Sequence, residues 1–270
     1  MSTGAAFFDL DRTLISGSSA FAFGVAAWRN NLVPTTALAK DAAGAVVFRH
    51  RGAKDDQVER VRARILGAVT GVRQADLVAL NAGLIPKLLS RVRPEAQRLI
   101  EMHRRAGRNT YIVSASPQEL VEPLAAAIGM TGGIGTVSAV DADGVYTGEL
   151  AGPFVYGPGK VTAIREIAEW EGYDLNMSYA YSDSASDLPM LEAVGHPVAV
   201  NPDGTLARMA HDHGWPIVIF RRRTRRVVRR TTALVGAAGM AGAAFAGGLA
   251  VGKRGGREEK RARVPSRWHR

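Results

Sequence analysis

The chain contains no cysteine. Disulfides, thiolate nucleophiles and thiolate metal ligation are excluded with it. With only six scattered histidines, a structural zinc site is not expected either. Lysine is scarce, with six against 29 arginines, and Lys160 is the sole lysine between Arg91 and Phe220. No acidic residue occurs between Asp11 and Asp41. No apolar run opens the sequence, so no secretory signal is read and the folded part is expected in the cytoplasm.

What is present divides unevenly. The net charge of +10 belongs to one end. Residues 221–270 hold 15 basic and 2 acidic residues, whereas residues 1–220 hold 20 basic and 23 acidic ones. The body is therefore a mildly acidic domain, and a polyanionic partner is to be sought at the tail. A length of 270 residues allows one large domain or two smaller ones, and 46% hydrophobic residues suffice for a sizeable core.

The most informative stretch is Phe7-Phe8-Asp9-Leu10-Asp11-Arg12-Thr13-Leu14. Two carboxylates two residues apart at the end of a strand share a side. They would project together from the carboxyl edge, where open α/β sheets bind ligands. One can attack while the other moves a proton, and carboxylates this close repel unless a cation joins them. Three further segments couple an apolar run or a tight turn to groups suited to phosphate and metal: Thr110–Ser116, Gly157-Pro158-Gly159-Lys160, and Ser178–Asp187.

Between these segments, strands at 5–10, 110–114, 177–182, 197–200 and 216–220 alternate with helices at 94–106, 117–128, 160–172, near 186–194 and 203–213. That alternation predicts an α/β fold, a doubly wound, Rossmann-like parallel sheet. Residues 134–150 read as a hairpin around Asp141–Gly144. Residues 17–90 read as a helical insert. Its helices cover Ala20–Asn30, capped by Ser18 or Ser19, then Pro34 to Arg49, Asp55 to Ala68, and Ala75–Val92 with a break near Pro86.

With its motifs in this order, the chain resembles the haloacid dehalogenase superfamily over residues 5–220, specifically the phosphoserine-phosphatase-like subfamily. Gly17-Ser18-Ser19-Ala20 after Asp-Leu-Asp-x-Thr-Leu fits a set of bacterial hydrolases within it. The resemblance implies a core of residues 1–16 and 91–220, with 17–90 as a cap over the active site. It implies a Mg2+-dependent phosphomonoester hydrolase working through an aspartyl-phosphate on a small phosphorylated metabolite. Asp9 would be the nucleophile and Asp11 the acid and base. Asp9, Asp183 and the Asp11 carbonyl would bind the metal, with Asp187 and Asn201 around them.

Phosphate would be held by Thr13, Ser114 and Lys160. Thr13 reads equally as a turn or helix cap, and Asn201 equally as a turn before a helix. Ser114 is assigned to phosphate and Ser116 to capping the helix behind Pro117. A cation opening a helix at Lys160 opposes the helix dipole, so it calls for anionic neighbours such as phosphate and Asp9. Ser182 stands where the family usually has glycine.

Phosphoserine phosphatases recognise the substrate amine with a glutamate nine residues after the nucleophile, and here that position is Ser18. Phosphoserine phosphatase is therefore the alternative reading. An idle, membrane-associated regulatory protein on the same fold is the alternative of another class. Arg49, Arg51, Arg60, Arg62 and Arg64 could meet an anionic substrate from the cap or equally be solvated helix faces, and Phe21, Phe23 and Trp28 suit a less polar leaving group at the entrance but read first as cap core.

The tail opens with seven arginines in ten residues, Arg221–Arg230, followed by 21 uncharged residues, Thr231–Val251, of which eight are alanine and five glycine. That length can span a bilayer, but its composition drives insertion weakly. Small residues at Gly239, Ala243 and Gly247 would let two such helices approach closely. No aromatic interleaving or reader motif supports sequence-specific nucleic-acid binding. The expectation is attachment to the inner face of the cell membrane, each arginine near anionic lipid contributing roughly 1 kcal/mol. In liposome flotation, the full chain should rise with anionic vesicles at low salt and a 1–220 fragment should not. Equal flotation of the two would remove the tail from any membrane role.

Overall fold

A computed structural model describes residues 3–33 and 69–220, with Glu59, Arg62, Ala63, Leu66 and Gly67 between them. The expected helix from Pro34 to Arg49, most of that from Asp55 to Ala68, Arg49, Arg51, Arg60 and Arg64, and the tail from Arg221 onward lie outside the described residues.

The described elements are β1 (Ala6–Phe8), α1 (Ser19–Arg29), α2 (Gln74–Ala79), α3 (Asn81–Leu89), α4 (Pro94–Arg105), β2 (Thr110–Pro117), α5 (Gln118–Ile128), β3 (Gly132–Thr136), β4 (Ser138–Val140), β5 (Tyr146–Leu150), α6 (Pro158–Glu171), β6 (Tyr179–Ser182), α7 (Leu188–Glu192), β7 (His196–Val200), α8 (Gly204–Asp212) and β8 (Ile217–Val218). Six strands form a sheet in the order β3-β2-β1-β6-β7-β8, and every pairing in it is parallel. Strands β2 and β3 lie to one side of β1 and the later strands to the other. The direction of winding therefore reverses between β1 and β6, which places a crevice beyond their carboxyl ends.

Period-two alternation explains the two covered faces. Phe7, Tyr111, Val113, Ala180 and Ala199 pack with Ala163 and Ile164 of α6, Met190 and Leu191 of α7, and Leu206 of α8. Their neighbours Phe8, Ile112, Tyr181, Val198 and Val200 pack on the other face with Ile100 of α4, Leu120 and Leu124 of α5, Leu84 and Leu88 of α3, and Phe23 of α1. Phe7 and Phe8 are both fully buried, so a three-residue strand places two aromatics in opposite layers. Each contributes roughly 1.5–3 kcal/mol of burial.

Several boundaries differ from the sequence reading. Gly132–Thr136 is an edge strand of the main sheet, and the hairpin is confined to β4 and β5. A side chain at Gly133 would meet the Val121 carbonyl at 2.6 Å, so glycine there lets α5 lie directly against the edge. Glu122 Oε2 and Gln118 Oε1 then accept from the backbone N–H groups of Gly133 and Gly135 at 2.7 and 2.5 Å. The hairpin pairs with the approach to α2, Gly71 N–H donating to the Tyr146 carbonyl and Tyr146 N–H to that of Val72.

The break expected near Pro86 falls at Leu80, where Asn81 Nδ2 donates to the Glu119 carbonyl at 2.6 Å. Pro86 lies inside α3 and does not end it. Ser18, not Ser19, caps α1 by accepting from Phe21 N–H. Phe23 is buried as expected, but Phe21 and Trp28 are exposed because they point away from the Phe23 and Ala27 face of α1. Arg62 pairs with Glu59 on an exposed helix face.

The layer under α4 carries a polar chain that periodicity does not reveal. His103 is fully buried. Its Nδ1 accepts from Arg108 Nε at 2.8 Å, which leaves the ring proton on Nε2 to donate to the Tyr181 hydroxyl at 2.8 Å. Tyr181 stacks on Phe8 with centroids 4.5 Å apart, and the Arg108 guanidinium lies over Tyr179. Burial, and then the Arg108 charge, push the His103 pKa down to about 4 from an ordinary 6.5. Between those values the unfolded chain binds a proton that the folded chain refuses. Stability is therefore lost as pH falls through that window, by about 3 kcal/mol in full. Urea unfolding at pH 7 and pH 4.5 should show a steeper acid loss in the native protein than in His103→Leu. Equal losses would show that His103 is not the group responsible.

Candidate active site

The loops after β1 and β6 and the first turn of α6 converge on the crevice between β1 and β6. Asp9 follows β1 directly, and its N–H continues the pairing by donating to the Tyr181 carbonyl at 2.9 Å. Lys160 lies in the first turn of α6. A side chain at Gly159 would stand 1.9 Å from the Phe154 carbonyl oxygen, so the turn that delivers Lys160 closes only around glycine. Lys160 Nζ donates to Asp9 Oδ1 at 2.7 Å and to Asp187 Oδ2 at 2.8 Å, with all three residues buried. Ser182 Oγ donates to the same Asp187 oxygen at 2.7 Å, so the serine in the usual glycine position fixes a carboxylate.

Asp183 is buried and pairs with Arg12 Nε at 2.8 Å. Arg12 is half exposed and adopts a left-handed φ of 64°. Asp203 braces this loop from α8. Its Oδ2 accepts from Ala185 N–H and its own N–H donates to the Asp183 carbonyl, while Oδ1 caps α8.

The electrostatics follow from two carboxylates sharing one buried ammonium and a third, Asp183, paired with Arg12. Burial works against the charge on Lys160, but Asp187 and Asp9 outweigh it and hold its pKa above the ordinary lysine value. Burial raises Asp9 to about 6 against the pull of Lys160, with Asp187 and Asp11 adding repulsion. Asp183 rises to about 8 through burial and then the charge of Asp9, against Arg12. The charge on Asp9 thus disfavours that on Asp183, and a cation between them would relieve it.

Among the described residues, no group of three or more His, Asp or Glu side chains could hold a metal ion. A magnesium site here would rest on two carboxylates and the Asp11 carbonyl. That hard-oxygen set suits Mg2+, which keeps several waters.

Other expected residues are placed differently. The strand ends at Phe8, so alternation does not carry Asp11 to the side of Asp9. The Asp11 carboxylate turns to the start of α1, where Oδ1 accepts from Ser19 N–H at 2.7 Å and Ser19 Oγ at 2.5 Å. Thr13 Oγ1 is buried without a hydrogen-bond partner among the described residues, so its hydroxyl caps neither a turn nor a helix there. Ser114 is buried at the end of the β2 core run, and its Oγ accepts from Ser116 N–H.

Ser116 is not a helix cap. The backbone stays extended through Pro117, and Ser116 Oγ instead meets Ser19 Oγ at 2.8 Å. Asn201 Oδ1 accepts from Phe220 N–H at 2.9 Å, just beyond β8. Ser19, Arg12 and Asp203 were missed. Ser19 and Asp203 carried a signal only as candidate helix caps, and Arg12 carried none.

The site is thus a buried lysine–carboxylate cluster at the switch point of a parallel sheet. The family model of the haloacid dehalogenase-like hydrolases matches residues 6–192, and the chain belongs to that family. It is 44% identical over 222 residues to the inhibition of morphological differentiation protein of Streptomyces azureus, covering 82% of this chain and 80% of that one. A phosphoserine phosphatase of Mycobacterium tuberculosis is 38% identical, over 90% of this chain and 80% of its own. A histidinol-phosphatase of Neisseria meningitidis is 30% identical, over 80% and 98%. Among solved structures, a Bordetella pertussis protein of unknown function superposes with a TM-score of 0.69 at 27% identity, covering 81% of this chain and 99% of that one. A phosphoserine phosphatase captured as a phospho-aspartyl analogue shares the fold, with a TM-score of 0.59 at 17% identity over 85% of this chain and 99% of that one.

Lys160→Met would leave Asp9 and Asp187 buried without their shared cation. Breaking a buried pair this way costs about 3 kcal/mol or more. Thermal unfolding should show that loss, and adding Asp187→Asn should restore part of it by removing one orphaned charge. A double variant no more stable than Lys160→Met would contradict the shared-cation account.

Proposed function

We propose that the chain is a magnesium-dependent phosphomonoester hydrolase that acts through an aspartyl-phosphate on a small phosphorylated metabolite. Family and relatives make it a phosphatase. One observation carries the finer reading: Lys160 holds Asp9 and Asp187 together, buried, beside Asp183.

Asp9 is the group placed to attack phosphorus, since Lys160 fixes one of its oxygens and leaves the other for the substrate. Lys160, already contacting Asp9, offsets phosphate charge at the point of attack. Ser114 and the Thr13 hydroxyl, which has no hydrogen-bond partner among the described residues, offer hydrogen bonds to phosphoryl oxygens. Asp11 serves as acid for the leaving oxygen and then as base for water. Mg2+, held by Asp9, Asp183 and the Asp11 carbonyl, would neutralise charge on the phosphoryl group. Residues 17–90 form the cap over a core of 1–16 and 91–220. The catalytic domain works in the cytoplasm, and the tail attaches it to the membrane surface.

Ser18 weighs on the substrate. It caps α1 and brings no charge. The histidinol-phosphatase and phosphoserine phosphatase relatives act, by name, on phosphate esters of amino alcohols. Recognition of such an ammonium group needs a carboxylate that residues 12–40 do not contain. Phosphoserine phosphatase is the second reading, favoured by the 38% relative. An idle regulatory protein would not need to retain a lysine buried against carboxylates.

A phosphomonoester panel with and without Mg2+ tests the reading. Asp9→Asn should fold and fall below roughly a hundredth of the native rate, within the loss expected for a nucleophile. Phosphoserine should not give the highest kcat/KM. Retained turnover in Asp9→Asn would end the aspartyl-phosphate mechanism, and a clear preference for phosphoserine would promote the second reading.

A further inference from the structure

Ser19 and Ser116 lie 97 residues apart in sequence, yet their hydroxyls meet at 2.8 Å. Both are buried, Ser19 completely. Ser19 gives Asp11 two donors, its N–H at 2.7 Å and its Oγ at 2.5 Å, and both land on Oδ1. Ser19 Oγ has one proton. If it donates to Asp11, the contact with Ser116 is made by the Ser116 proton, and the chain runs in one direction: Ser116 to Ser19 to Asp11. Ser116 is itself tied to the phosphate side of the crevice, since its N–H donates to Ser114 Oγ at 3.2 Å.

We propose that Ser19 and Ser116 are positioning residues for Asp11, forming a hydroxyl relay that sets where the acid's proton-bearing oxygen points. The proposal rests on the phosphatase reading above. With Oδ1 held by two donors, Oδ2 is the oxygen left to deliver the acid's proton, and rotation of the carboxylate is restrained. In the first half-reaction, an Asp9 oxygen forms a bond to phosphorus while the bond from phosphorus to the ester oxygen breaks. The electron pair of that bond goes to the leaving oxygen, which takes the proton from Asp11 Oδ2. Ser19 is also the first residue of α1. The acid is therefore anchored to the helix that follows the catalytic loop, and not to the loop alone.

The consequence depends on the leaving group. A p-nitrophenolate departs without protonation, whereas an alkoxide requires it. Because kcat/KM reports the steps up to departure, general-acid placement affects it only for the poor leaving group. The experiment measures kcat/KM of the full chain with Mg2+ on p-nitrophenyl phosphate and on glycerol 1-phosphate. Ser19→Ala should lose about tenfold or more on the alkyl ester, a part of the range of general acid catalysis, and about twofold or less on the aryl ester. Ser116→Ala should shift the ratio in the same direction by a smaller factor, and Ser19→Thr should restore it.

Parallel losses on both esters, or no loss, overturn the relay. Ser116→Ala removes one oxygen outside any helix and keeps the test open if Ser19→Ala does not fold. A crystal structure of Ser116→Ala or Ser19→Ala supplies a readout independent of turnover. The Asp11 carboxylate should rotate away from its native orientation, and an unmoved carboxylate overturns the proposal. Native protein inactive on both esters would end the phosphatase reading instead, while the carboxylate's rotation still decides the relay.

Discussion

One buried ammonium organises the centre of this molecule. Lys160 is the cation on which Asp9 and Asp187 both depend, and without it two carboxylates would face each other out of contact with water. Such an arrangement is held by attraction that only just exceeds the cost of burial. Its geometry is therefore demanding. A glycine turn must deliver the lysine, Ser182 must fix Asp187, and Asp9 must leave the end of β1 in line with Tyr181. Each is a local backbone feature, yet together they tie three loops from distant parts of the chain to one atom.

The sheet that presents these loops was legible because its strands obey a simple period. Apolar runs at 110–113 and 197–200, each followed by helical spacing, leave little choice but a parallel sheet, and the chemistry-bearing residues fall just past the apolar runs. Lys160 stood out for a different reason, since a lone lysine opening a helix calls for an anionic partner. The edge strand at 132–136 was hidden because glycines carry no hydrophobic pattern. It is recognisable only once α5 is seen lying on it.

The departures at the site share one cause. Sequence reasoning extended strand alternation past Phe8, but β1 stops there, and the next residues form a tight loop in which Arg12 takes a left-handed conformation. Asp11 therefore answers to α1, not to the pleat. Ser116 was read as a cap from its place before proline, but β2 runs extended through Pro117, and the hydroxyl is used across the crevice instead. In both cases a side chain took a partner on another element, eight residues away for Asp11 and 97 for Ser116, a choice that local spacing does not encode.

The position of β1 has a consequence for how the chain comes to be folded. The strand is made first, within residues 6–8, but its two neighbours begin at residues 110 and 179. About 170 residues separate β1 from β6, so the central strand gains its second flank only after that much further chain has been made. Until then Phe7 and Phe8 lack their native cover. Contacts this distant in sequence carry a loop-closure cost before they return any stability, which places the molecule among slow folders. During that interval the uncovered aromatic pair is open to wrong association, and a variant that lengthened the interval should lower the yield of folded protein.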